Sequence, residues 1–155
     1  MVAATAGLTL AAATCVSDEP TVHGTGHLIG RATFETSHGQ ERTTFLSVAD
    51  SPAEHARGLM GRTTIPKDGG MLFLYDEPRT GGFWMKNTRF PLSIALLDED
   101  RRVVDILDME PCEADACPGY FPSGVYVTAL EMRQGWFEEH GVRIGDEGEL
   151  TVATE

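Results

Sequence analysis

Extended patterning dominates the chain from residue 28 onward. Leu28–Thr36 and Arg42–Val48 are rich in β-branched and aromatic residues and flank the turn-forming Ser37-His38-Gly39-Gln40, a β-hairpin pattern. Gly70–Tyr75 (GMLFLY) is continuously apolar between Asp68-Gly69-Gly70 and Asp76-Glu77-Pro78, and at that length it reads as a buried strand. Further strands are expected at Phe83–Thr88, Pro91–Leu97, Arg101–Leu107 after the acidic turn Asp98-Glu99-Asp100, Val125–Met132 and Glu149–Val152. Two short helices interrupt the series. One starts at Ser51-Pro52-Ala53-Glu54, with serine as cap, proline at the first helical position and glutamate three residues after the cap. Its apolar positions Ala53, Ala56 and Met60 carry it to a stop at Gly61. The other is Gln134–His140, ended by Gly141. The pattern is that of a mainly all-β fold: a single jelly-roll-like β-sandwich or small barrel with one or two short helices.

The first 27 residues follow a different rule. Met1–Thr14 is small and apolar, matches the core of an export signal in length and is too short to span a bilayer. Cys15 follows Ala12-Ala13-Thr14 and is a candidate lipid-attachment residue. Against this, no Lys or Arg precedes the apolar run, and threonine is unusual just before such a cysteine; a misassigned start is the alternative. Residues 15–27 read as a polar tether, leaving 28–155 as one folded domain. His23 and His27 are four apart, but Gly24 and Gly26 oppose the helix that would pair them on a metal.

Charge narrows the function classes. With 24 Asp plus Glu against 12 Lys plus Arg, the net charge is −12, and no basic run exists to hold a nucleic-acid backbone. The bases are ten arginines and two lysines, a balance that suits a salt-rich habitat, though a GC-rich genome would bias composition similarly and is the favoured reading.

Candidate chemistry starts with FWMKNT. If Phe83–Thr88 is a strand, Trp84, Lys86 and Thr88 share one face, opposite Phe83, Met85 and Asn87. Lys86 in so apolar a stretch must be paired or face a wet cleft. Glu131 falls on a face with Val125, Val127 and Ala129 and needs a partner, which Lys86 or Arg62 could supply. Two readings stay open. These residues, with Arg57 and Asn87, could be buried polar pairs fastening helix to sheet. Alternatively they line a cleft in which Lys86 and Arg62 meet a small anionic or sugar-like ligand, with Trp84 as a flat apolar platform.

Cys112 and Cys117 enclose Glu-Ala-Asp-Ala, which suits a disulfide better than a zinc site or a two-residue redox motif. A nucleophilic Cys112 served by His140 is the competing reading. Tyr120 and Phe121 sit on the next loop and could cover a ligand or plug one end of the fold. Met60, Met71 and Met85 read as core filler rather than copper ligands, and Asp98–Asp100 as a solvated turn rather than a calcium site. No cofactor is implied, and no nucleophile elbow, phosphate loop or two-histidine zinc helix is present.

The ordered motifs RGLM, GMLF, FWMKNT, PLSIA and ALE, within Arg57–Tyr75, Phe83–Asp98 and Ala129–Asp146, resemble the domain of unknown function 192 family over roughly residues 44–152. The resemblance implies a jelly-roll sandwich, commonly behind an export signal, and supplies no reaction. In one departure, the turn Asp98-Glu99-Asp100-Arg101 lacks the glycine the family often has there. The expectation is an extracytoplasmic binding or accessory module, secreted or held at the outer face of the membrane through Cys15. A hydrolase-type enzyme using Glu131 or Cys112, and a purely structural or interaction domain, are the alternatives. The oligomeric state is left open.

Overall fold

The computed structural model describes residues 28–36 and 39–154. The expected export segment, the candidate lipid site Cys15, the expected tether, and His23, His27 and His38 lie outside them. The elements are β1 (Leu28–Glu35), β2 (Glu41–Ala49), α1 (Pro52–Arg57), β3 (Gly69–Arg79), β4 (Phe83–Trp84), β5 (Leu92–Leu97), β6 (Val103–Met109), β7 (Gly119–Tyr120), β8 (Tyr126–Arg133), α2 (Trp136–Glu139) and β9 (Glu147–Thr154). Seven strands form one sheet in the order β6-β5-β8-β3-β2-β1-β9, and β4 pairs with β7 in a two-stranded sheet. The fold is mainly β and sandwich-like, as the alternation predicts.

Both faces of the large sheet are covered, which explains why its central strands read as unbroken apolar runs. Leu46, Leu72, Ala95, Leu97 and Leu130 pack on one face with Trp136 and Phe137 of α2. Met71, Phe73, Ile94, Leu96 and Ala129 pack on the other beneath Leu59 and Met85. The sheet curls around the first core. A Cβ on Gly148 of β9 would lie 2.9 Å from the Phe34 ring and 3.1 Å from the Leu97 side chain of β5, so this close approach needs glycine. The edge strands also meet at their starts, where Arg102 bridges Glu147 and Val103 N–H donates to the Asp146 carbonyl.

Ser51 and Glu54 form the expected capping box, with Pro52 at the start of α1. The helix ends earlier than its apolar spacing suggests, at Gly58 rather than Gly61. Gly58 takes φ 47° and its N–H donates to the Glu54 carbonyl. The chain turns inward there and buries Leu59 to 2% exposure. RGLM is thus a helix stop followed by a core plug. The second helix is also shorter than expected, Trp136–Glu139.

The FWMKNT segment departs most from expectation. Only Phe83 and Trp84 form a strand. Met85–Thr88 is a turn closed by Thr88 N–H to the Met85 carbonyl, with Asn87 at φ 57° in its third position. Asparagine tolerates that left-handed conformation, and turns with a positive φ at this position favour it or glycine. The period-two assignment of Lys86 therefore fails at the residue that matters most.

The family's glycine position also finds its reason. Arg101 occupies the acidic turn at φ 63°, a conformation in which glycine carries no steric penalty. The Asp98 carboxylate accepts from the N–H groups of Asp100 and Arg102, so it is occupied by its own turn.

Candidate ligand pocket

Glu131 lies on β8 directly between Met71 of β3 and Ile94 of β5, on the sheet face covered by α1 and the following loop. It is 6% exposed. Among the described residues it has neither a hydrogen-bond donor nor a cation as partner. Burial pushes its pKa up to about 8, so the carboxyl is mostly protonated at neutral pH. Its side chain faces a hollow of about 240 Å³.

Aromatic rings and two arginines, Arg57 and Arg79, make most of the wall. Tyr75 stands at the end of the apolar run of β3, with the His55 ring 4.4 Å from it and the Arg79 guanidinium 4.1 Å from its centroid. A register shift between Leu74 and Arg79 bends β3 and carries Arg79 to the opening. Tyr126 donates to the Gly81 carbonyl at 2.7 Å and packs on Phe83 at 5.7 Å. Trp84 is 57% exposed at the rim. Burial, then the neighbouring Tyr126, raises the Tyr75 pKa above its ordinary value, so its hydroxyl stays a neutral donor.

The candidates named from the sequence divide between places. Glu131, Trp84 and Arg57 line the hollow. Lys86 does not, and it does not pair with Glu131. Its ammonium donates to the Ala114 carbonyl at 2.5 Å and lies 4.0 Å from Asp115, because the turn swings it outward onto the cysteine loop. Asn87 serves the same junction: its N–H donates to the Cys112 carbonyl and its carbonyl accepts from Gly61. Arg62 lies beside a second hollow, a groove of about 830 Å³, with its guanidinium 3.5 Å from the Ser47 hydroxyl. Arg57, Gly58 and Met60 line both spaces, so the RGLM segment is the partition between them.

Cys112 and Cys117 are joined in a disulfide, as their spacing suggests. This removes the free thiol that a nucleophilic Cys112 requires. His140, its supposed base, is stacked on Trp136, with Nδ1 2.7 Å from the Trp136 carbonyl.

Sequence reasoning missed His55, Tyr75, Arg79 and Tyr126. Tyr75 and Tyr126 carried a usable signal, since buried tyrosines keep a polar tip that needs somewhere to go. Arg79 carried none, because the strand shift that places it has no residue signature here.

The family profile of domain of unknown function 192, described as an uncharacterized ACR, matches residues 33–150. The chain belongs to this family. Its structural relatives include a protein of unknown function from Novosphingobium aromaticivorans DSM 12444, 32% identical, with a TM-score of 0.70 over 77% of this chain and 83% of that one. Another is a candidate transcription regulator from Sinorhizobium meliloti 1021, 27% identical, with a TM-score of 0.72 over 81% of this chain and 96% of that one. No curated protein matches. Four of the DUF192 motifs meet at this region: RGLM is the partition, GMLF and ALE bring Met71 and Glu131 side by side, and FWMKNT contributes Phe83, Trp84 and Thr88 to the wall of the Glu131 hollow.

Proposed function

We propose that this chain is an extracytoplasmic binding module whose ligand is small and sugar-like and enters the Glu131 hollow. The observation that carries this is a buried carboxyl without a protein partner, facing an open, aromatic-lined space. A polar group in that position is costly unless something completes its hydrogen bonds. A protonated carboxyl both donates and accepts, which suits hydroxyl groups. Trp84 offers a flat face for the C–H side of a sugar ring, and Arg79 adds donors at the opening. The disulfide and the apolar start of the chain support a place outside the cytoplasm. Among the described residues no helix is long and apolar enough to cross a membrane. The net charge of −12 speaks against carrying over a nucleic-acid role from the Sinorhizobium relative.

Binding is favoured over hydrolysis on one count. Glycosidases ordinarily use two carboxyl groups flanking the bond, whereas Glu131 is the only carboxyl among the described residues lining the hollow. The test is calorimetric titration with a panel of neutral monosaccharides and uronic acids. At least one should bind saturably, and Glu131→Gln and Trp84→Ala should each weaken it tenfold or more with the fold intact by circular dichroism. Absence of saturable binding across the panel, or variants that bind as tightly as the parent chain, overturns the reading.

A further inference from the structure

The larger groove has its own chemistry. Met71 and Ser47, register partners on β3 and β2, lie at its floor, and Ile29 and Phe45, on the same face of the sheet, stand 37% and 59% exposed. Arg57 and Arg62 border it, and Arg31 stands over the Phe45 ring at 5.5 Å. Although acids outnumber bases two to one, only Arg89, Arg101, Arg102 and Arg133 among the described arginines have a carboxylate within 4 Å. Arg42, Arg79 and Arg143 lack one at other places on the surface, and Arg31, Arg57 and Arg62 lack one together at this groove. The one acid in the lining, Glu54, is held by its helix cap, accepting from the Ser51 hydroxyl at 2.6 Å and the Ser51 N–H at 3.1 Å.

A groove with exposed apolar side chains along it and unpaired guanidinium groups at its border is complementary to a ligand with an apolar body and an anionic end. The planar fork of arginine suits a carboxylate or phosphate by two parallel bonds. We infer that this groove is a second binding site, for a single-chain amphiphile with an anionic head, the head held by Arg62 and Arg57 and the chain laid along Phe45, Ile29 and Met71. It is separate from the Glu131 hollow, from which the Arg57–Met60 partition divides it, and it stands whether or not that hollow takes a sugar.

The experiment is calorimetric titration of the full chain with decanoate, octanoate and hexanoate below their micelle concentrations, and with decyltrimethylammonium as the cationic counterpart. Expected is saturable one-to-one decanoate binding that weakens with each methylene removed, by up to roughly fourfold per step if the chain is fully buried. Arg62→Gln, at an exposed site, should weaken decanoate at least fivefold with the melting temperature unchanged. Equal binding of the cationic amphiphile, or no loss in Arg62→Gln, overturns the anionic head. Loss of decanoate binding in Glu131→Gln overturns the choice of groove, since the amphiphile would then be entering the other hollow. Absence of any saturable binding overturns the site and leaves the groove to an acidic peptide or another part of the chain.

Discussion

Met71 and Glu131 are register partners on β3 and β8, yet their side chains face different hollows. Neighbours across a ladder, pointing to the same face of the sheet, ordinarily share one environment. Here Leu59 descends from the helix stop at Gly58 and plugs the space above them. The Arg57–Met60 segment, with Leu59 buried in it, therefore separates a buried acid from an arginine-bordered groove.

That makes Leu59→Ala informative. Removing a leucine 2% exposed should cost about 2–5 kcal/mol, set by how far the surroundings collapse. Urea denaturation measures the loss. If the partition reading is right, a crystal structure of the variant will show the two hollows joined.

Glu131 sets a pH dependence whose sign is fixed by burial. The folded chain holds this proton up to about pH 8, whereas an unfolded chain releases it near 4.5. The contribution of the neutral carboxyl is fully present below about pH 4.5, declines above it and is gone once pH has risen through 8. Glu131→Gln cannot ionise. The parent chain and this variant should be close in stability at pH 4.5, with the parent falling behind by on the order of a few kcal/mol at pH 9. Parallel urea titrations at the two pH values check it.

The disulfide ring closes the loop that Lys86 and Asn87 grip. Replacing both Cys112 and Cys117 with serine should cost about 2 kcal/mol by the loop-entropy estimate. Because β7 leaves this loop to pair with β4, the loss should also be felt at Trp84. Stronger acrylamide quenching of tryptophan fluorescence in the variant, with Trp136 buried in both, is the expected readout.

Arg101 offers a gain. A side chain at φ 63° costs on the order of 1 kcal/mol in backbone strain, so Arg101→Gly should raise the melting temperature despite loosening the unfolded chain. Its ion pair with Glu147 is exposed and should subtract little. Thermal unfolding of the single variant decides the sign.

The fold was largely legible because burial writes itself into residue order. GMLFLY and PLSIALL are apolar at successive positions because both faces of β3 and β5 are covered, and the alternating hairpin falls where one face is less enclosed. Glu131 was legible as a carboxyl in apolar company. That it would stand without a protein partner was not. Assigning Lys86 to it assumed that a strand continued through Asn87, and a single left-handed residue undoes that inference. Arg62 was legible as a candidate for a ligand, but the partition that gives it a different cavity from Glu131 depends on Gly58 ending the helix one turn before the apolar spacing runs out. Tyr75, Arg79 and Tyr126 meet through a shift in strand pairing, a relation between distant segments that no local pattern records.

The latch between Arg102 and Glu147 bears on what happens when many copies crowd together. Unfinished ladders at a sheet's margins are where β proteins recruit one another into fibres. By drawing its two outermost strands together at one end, with arginines and acids placed along the seam, this chain leaves less bare backbone for a neighbour to extend.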